Sequence, residues 1–116
     1  MAQITVYQEP TCTTCREVCA ALKESGVDFE TVDYYVDPIP KSKLKDLIKK
    51  MGISVQELLR KKEPIYKELK LDQEKLSEDE IIGLMVKHPD LIQRPIVEKG
   101  RKAILARPAE RLKEII

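Results

Sequence analysis

The sequence predicts an α/β protein: a four-stranded mixed sheet flanked by helices, with a helical insertion between the two halves of the sheet. Three observations carry that expectation. A strand pattern, a helix pattern and a second strand pattern follow one another between Ile4 and Tyr35, which is a β-α-β start. The middle of the chain, residues 38–90, has helical periodicity and no strand pattern. The end, Arg94 to Ile116, reads as two strands, a tight turn between them, and a last helix. With 116 residues the chain suits one domain, 1–116, carrying its insertion at about 38–90.

Each element has its own local signal. Ile4 to Tyr7 is a short first strand, and Gln8-Glu9-Pro10-Thr11 turns the chain. A helix follows from Cys12 or Thr13 to Ser25, with Val18, Ala21 and Leu22 as its apolar stripe and Gly26 as its left-handed cap. Phe29 to Tyr35 is the second strand, in which Tyr34 and Tyr35 are read as packing residues. Asp37-Pro38-Ile39-Pro40 then breaks the pattern. A helix over Lys41–Met51 presents Leu44, Leu47 and Ile48 on one face and ends at Gly52. Its lysines are read as a solvated face, or as a docking surface for an acidic partner. Ser54 with Glu57 and Ser77 with Glu80 fit capping boxes. They open a short helix ending near Lys61 and a longer one running through His88, with a further helical turn over Glu63–Leu69 between them. His88 fits a helix C-terminal residue. Arg94–Val97 and Lys102–Ala106 make a hairpin about a turn at Glu98–Arg101, and Pro108 opens a final helix over Ala109–Ile116. This order resembles the thioredoxin/glutaredoxin fold.

Composition narrows the function. Hydrophobic residues make up 42% and charged residues 35%, a globular balance. A net charge of +1 with mixed signs gives no long-range pull toward nucleic acid or an anionic membrane, although a local arginine cluster for a small anion fits within it. No stretch approaches a membrane span, and the start has no signal-peptide pattern, so the cytoplasm is the expected location. No heptad or large apolar stripe asks for a second copy, so a monomer is expected.

The three cysteines, Cys12, Cys15 and Cys19, stand close together at the start of the first helix. An odd cluster with no distant partner is a poor disulfide framework. A zinc site lacks a second CxxC, and His88 is remote in sequence, so no metal is expected. Cys12-Thr13-Thr14-Cys15 is a CxxC that follows a strand and opens a helix. The unpaired N–H groups and positive dipole end there stabilise a thiolate, and Cys12 occupies that end. Cys15, about one turn later, lies within disulfide reach. Cys19 is read as a small core side chain.

The segments ITVYQEPTCTTCR, MGISVQELLRKKEPIYKEL and HPDLIQRPIVEKGRKAILARPAERL together resemble the glutaredoxin-like arsenate reductase (ArsC) family over essentially the whole chain. The resemblance implies arsenate reduction to arsenite through a thioarsenate on Cys12, with no bound cofactor and with glutathione as co-substrate. Glutaredoxin or thioredoxin would then be the partner. It implies that Arg60, Arg94 and Arg107 bind the oxyanion, and that Pro95 is a cis-proline facing the reactive cysteine. That set is chemically coherent. Thiolate attack brings an anion toward an anion, and guanidinium groups offset the repulsion with bidentate hydrogen bonds. Arg16, Arg101 and Arg111 are read as surface charges.

Two residues depart from the family pattern. Many members carry a histidine where this chain has Gln8, and glutaredoxin-linked members usually lack the second cysteine that is Cys15 here. Cys15 is therefore a candidate resolving thiol, against the alternative that it packs in the core. It also keeps open a Spx-like redox-switch regulator that binds RNA polymerase, and a general thiol–disulfide oxidoreductase. Arg107 before the last helix favours the enzyme.

Overall fold

The computed structural model describes residues 4–71 and 75–115. They fall into two compact units, drawn from Met1–Asp37 with Arg94–Ile116 and from Pro38–Gln93.

The first unit holds the sheet. Its elements are β1 (Ile4–Gln8), α1 (Thr13–Glu24), β2 (Phe29–Asp33), β3 (Ile96–Lys99) and β4 (Lys102–Leu105), then a 3₁₀ segment over Ala109–Glu114. Strand order is β2-β1-β3-β4. β1 runs parallel to β2 and antiparallel to β3, and β3 is antiparallel to β4. This is the mixed four-stranded sheet of the thioredoxin-like fold. The register places Val6 opposite Val97 and Thr5 opposite Glu98, so alternate residues divide between the two faces. Ile4, Val6 and Val97 share one face and pack with Val18 and Leu22 of α1 and with Ala106, Leu112 and Ile115. On the other face the Tyr7 hydroxyl donates to the buried Glu98 carboxylate at 3.1 Å. α1 is thus fixed to the sheet through its apolar stripe, and a short loop, Glu9 to Cys12, joins the end of β1 to its N-terminus.

The second unit is helical: α2 (Lys41–Met51), α3 (Val55–Leu58), α4 (Pro64–Glu68), α5 (Glu78–Lys87) and a 3₁₀ turn over Pro89–Leu91. α2 packs on α5, burying Leu44, Leu47 and Ile48 from one helix and Ile81, Ile82 and Met85 from the other. Both capping boxes form, at Ser54/Glu57 and Ser77/Glu80. Gly52 takes φ 65°, which closes α2 at a conformation that costs a residue with a Cβ. The lysine face of α2 is neutralised locally. Lys41 pairs with Asp79 at 2.7 Å, Lys45 also meets Asp79, and Lys50 reaches Asp46 at 3.2 Å.

Several boundaries differ from the sequence expectation. β2 stops at Asp33 because its carboxylate accepts the Tyr35 N–H (3.1 Å) and its carbonyl accepts the N–H groups of Val36 (3.1 Å) and Asp37 (2.8 Å). Tyr34 and Tyr35 consequently lie in a turn, not in a strand. α3 ends at Leu58, because Leu59 leaves the helix to bridge Ile92. β3 begins at Ile96 and runs through Lys99, so the hairpin turn is Gly100–Arg101, with Gly100 at φ 60°. The Arg94–Pro95 and Arg107–Pro108 peptides are both cis. The last helix is 3₁₀ and ends at Glu114, held by bonds such as Arg111 N–H to the Pro108 carbonyl at 3.1 Å; Ile116 lies outside the described residues.

Leu22 is fully buried in the α1–sheet core. Leu22→Ala is expected to destabilise the fold by about 2–5 kcal/mol in urea unfolding. Ser77→Ala, which removes a cap, is expected to cost about 1 kcal/mol. Equal losses for the two would contradict the packing described.

Candidate active site

The site is built on the junction between β1 and α1. The loop is tied down before the helix begins. The Glu9 carboxylate accepts the Thr11 N–H at 2.9 Å and also the Thr11 hydroxyl, and these bonds hold the carboxyl below its usual range. The Cys12 N–H donates to the Glu9 carbonyl at 3.0 Å. Arg16, expected as a plain surface charge, donates from Nε to the Pro10 carbonyl at 3.2 Å and closes the loop from the helix side.

Cys12 is the N-cap of α1, with extended backbone angles (φ −71°, ψ 126°) and no side-chain capping bond. No acidic residue stands in the first turn. No acidic residue there competes for the N–H groups of that turn, and those of Thr14 and Cys15 act on the Cys12 sulfur. Burial acts to raise the Cys12 pKa. The Cys15 N–H, the Cys15 thiol, the Arg94 guanidinium and the Thr14 N–H together outweigh burial, and the net shift is downward.

Cys15 has the opposite fate. It is fully buried on α1, and desolvation pushes its thiol up to about 12, with the Cys12 sulfur adding to the rise. It stays a thiol and donates toward Cys12. Cys19 is half-buried against the α1 core, and its thiol donates to the Gln8 amide oxygen at 3.1 Å. Burial raises its pKa as well.

Arg94 lies beside the Cys12 thiol, immediately before the cis Arg94–Pro95 bond. Burial alone would lower its pKa, but the two neighbouring tyrosines and Cys12 raise it, so it is cationic throughout. Its Nη1 donates to the Tyr35 hydroxyl at 2.9 Å. Its Nε is buried with no hydrogen-bond partner in the structure, a donor suited to an anion's oxygen. Arg107 Nη1 donates to the Arg94 carbonyl at 3.3 Å and to the Thr14 hydroxyl at 3.4 Å, which brings its exposed guanidinium to the first turn of α1. The first unit thus gathers Cys12, Cys15, Arg94, Arg107 and Pro95. Arg60 belongs to the second unit, just beyond α3, where its guanidinium pairs with Glu63 at 2.9 Å and its N–H donates to the Leu91 carbonyl at 2.8 Å.

Tyr35 is the residue the sequence reading missed. Its strand assignment placed it among packing residues, whereas the Asp33 turn brings its hydroxyl to Arg94. The Asp-Tyr-Tyr-Val-Asp-Pro run carries a turn signal at Asp33, but nothing in spacing indicates Arg94. Among the described residues, no group of three or more His, Cys, Asp or Glu is placed to hold a metal ion, and no helix is long and apolar enough to cross a membrane.

The ArsC family model matches residues 7–115. An uncharacterized protein of Escherichia coli K12, YfgD, is 44% identical over 98% of this chain and 97% of its own length. An arsenate reductase of Escherichia coli K12 is 40% identical over 100% of this chain and 82% of its own. The solved structure of an arsenate reductase from Vibrio cholerae superimposes with a TM-score of 0.94 at 35% identity, covering 100% of both chains.

The opposite shifts of Cys12 and Cys15 are directly measurable. Alkylation by iodoacetamide across pH, with each cysteine read by peptide mass spectrometry, is expected to label Cys12 through a midpoint below that of an ordinary cysteine. Cys15 is expected to resist labelling until strongly alkaline pH. Indistinguishable midpoints for the two would remove Cys12 as the selected nucleophile.

Proposed function

The chain belongs to the ArsC family, and on that premise we propose that it is a thiol-dependent reductase converting arsenate to arsenite through an adduct on Cys12. The observation that carries the assignment is the Cys12 sulfur at the uncapped start of α1, with Arg94 beside it. A depressed thiolate pKa supplies the nucleophile at neutral pH, and the cation beside it offsets the repulsion between thiolate and oxyanion.

The chemistry balances in two steps. The Cys12 thiolate attacks arsenic(V); an S–As bond forms and one arsenate oxygen, protonated, leaves as water. A second thiolate then attacks the Cys12 sulfur. The S–As bonding pair goes to arsenic, which departs as arsenite, and an S–S bond forms. Two thiols are oxidised and one arsenic is reduced by two electrons. Arg94 and Arg107 serve as oxyanion ligands on the strength of their placement at Cys12 and Thr14. Arg60 joins them on its match to the family motif, with Glu63 as its present partner.

Cys15 is the second thiol in this scheme. Its position against Cys12 gives it a far higher effective concentration than glutathione from solution. Its burial opposes this role, because the thiol must lose its proton before it attacks. Deprotonation coupled to formation of the disulfide meets that requirement, and a thioredoxin- or glutaredoxin-class dithiol reduces the bridge. Glutathione is the alternative attacking thiol. Either donor places the protein in a reducing compartment, the cytoplasm.

An arsenate reduction assay with glutathione plus glutaredoxin, and separately with thioredoxin, tests the reading. Cys12→Ser is expected to fall to background with both. Arg94→Ala is expected to lose about 100-fold in kcat/KM, with lysine a poor substitute for the planar fork. No arsenite from the wild-type chain with either system would reject the function.

Mass spectrometry of the oxidised protein separates the two roles of Cys15. A Cys12–Cys15 disulfide together with a turnover loss in Cys15→Ser is the expected result. Full activity of that variant with glutathione and glutaredoxin, and no bridge in the wild type, would leave Cys15 as packing.

A further inference from the structure

The reductase reading assigns Arg94 a role but does not say what aims it. Arginine has a long stem with many rotamers, and a guanidinium not fixed in place loses its directional value. In this protein Arg94 is held by several contacts, an interaction of its guanidinium with the Tyr34 hydroxyl among them. Arg107 holds its backbone carbonyl at 3.3 Å. The Tyr35 hydroxyl accepts from Nη1 at 2.9 Å. The guanidinium carbon also stands 5.8 Å from the centre of the Tyr35 ring, within cation–π range.

Tyr35 is itself braced. Its N–H donates to the Asp33 carboxylate at 3.1 Å, which fixes the turn. Its ring leans on that of Tyr34, with centroids 5.3 Å apart and planes at 30°. Tyr34 is buried at 1% exposure and anchors the pair, whereas Tyr35 is 37% exposed. An exposed tyrosine contributes little to core packing, so its two specific contacts with Arg94 stand out. A rigid aromatic also loses little rotamer freedom in holding a partner.

We propose that Tyr35 is a positioning residue of this site: its hydroxyl and ring together hold the Arg94 guanidinium beside the Cys12 sulfur. The inference rests on the reading of Arg94 as the cation that serves Cys12. Loss of Tyr35 frees the side chain to leave the thiol, with no group removed from the reaction itself.

The test reads Cys12 alkylation against pH in the full-length protein, which requires no arsenate. Tyr35→Phe keeps the ring and loses the hydroxyl; Tyr35→Leu loses both. The Cys12 midpoint is expected to rise by about half a unit and about one unit respectively, roughly threefold and tenfold less thiolate below the midpoint. Arg94→Gln is expected to raise it at least as far, and Tyr35→Leu is expected to add nothing in that background. Unchanged midpoints in both Tyr35 variants while Arg94→Gln shifts would overturn the positioning role alone. An additive shift in the double variant would overturn it too, because Tyr35 would then act without Arg94. No shift in Arg94→Gln would overturn the reading of Arg94 on which the proposal stands.

Discussion

The chemistry of this protein depends on one helix end. α1 begins at Cys12 with no side-chain cap and no acidic residue in its first turn. The unpaired N–H groups of a helix start must find an acceptor, and a carboxylate or hydroxyl there would take them. Here the sulfur of the N-cap residue is in place to do so. Everything around it serves to keep that end in position. Val18 and Leu22 lock α1 to the sheet, the Glu9–Thr11 turn sets the approach, and Arg16 ties the helix back to Pro10. Placing serine or aspartate at Cys12 would build a better cap and abolish the thiolate. A weaker cap is the cost of a reactive helix end.

The three cysteines show how far burial and position separate identical groups. Cys12 has partial exposure, two N–H donors and a neighbouring cation. Cys15, one turn on, is enclosed, and desolvation dominates it. Cys19, a further turn on, loses the helix end altogether, keeps its proton and donates a hydrogen bond to the Gln8 amide oxygen. The coupling between the first two is reciprocal: each proton held on Cys15 is one that can stabilise charge on Cys12. A single thiolate on Cys12 is therefore favoured over two.

The sequence is explicit wherever periodicity or capping decides the structure. The element order, the α1 stripe, both capping boxes and the extent of α2 follow from spacing and cap residues, which act locally. What it does not reveal depends on non-local bonds. β2 ends where the Asp33 side chain and carbonyl collect three N–H groups, a competition invisible in strand propensity. β3 starts late because Pro95 has no N–H to offer the ladder, and the last helix tightens to 3₁₀ over a short stretch after an extended Pro108. In the site, Cys12 is legible from the strand–CxxC–helix context. The selection of Arg94 and Arg107 needed the family resemblance, since an arginine alone carries no such label. Tyr35 was not legible at all, because its partner is remote in sequence and its own local pattern reads as strand.

Net charge also conceals the site. At +1 overall, the chain offers no field to draw an oxyanion from a distance. Some of its charge cancels in short-range pairs, as between Lys41 and Asp79 on the helical unit and between Arg111 and Glu114 after β4. Arg94 is held differently: its guanidinium contacts the two tyrosines and the Cys12 thiol, with the Glu9 carboxylate acting on it only through space. A carboxylate partner would neutralise it and compete for the bidentate fork that an oxyanion needs. Aromatic partners fix a guanidinium without cancelling its charge. Holding Arg94 by tyrosines therefore leaves an aimed cation beside the thiolate, in a protein whose total charge gives no hint of it.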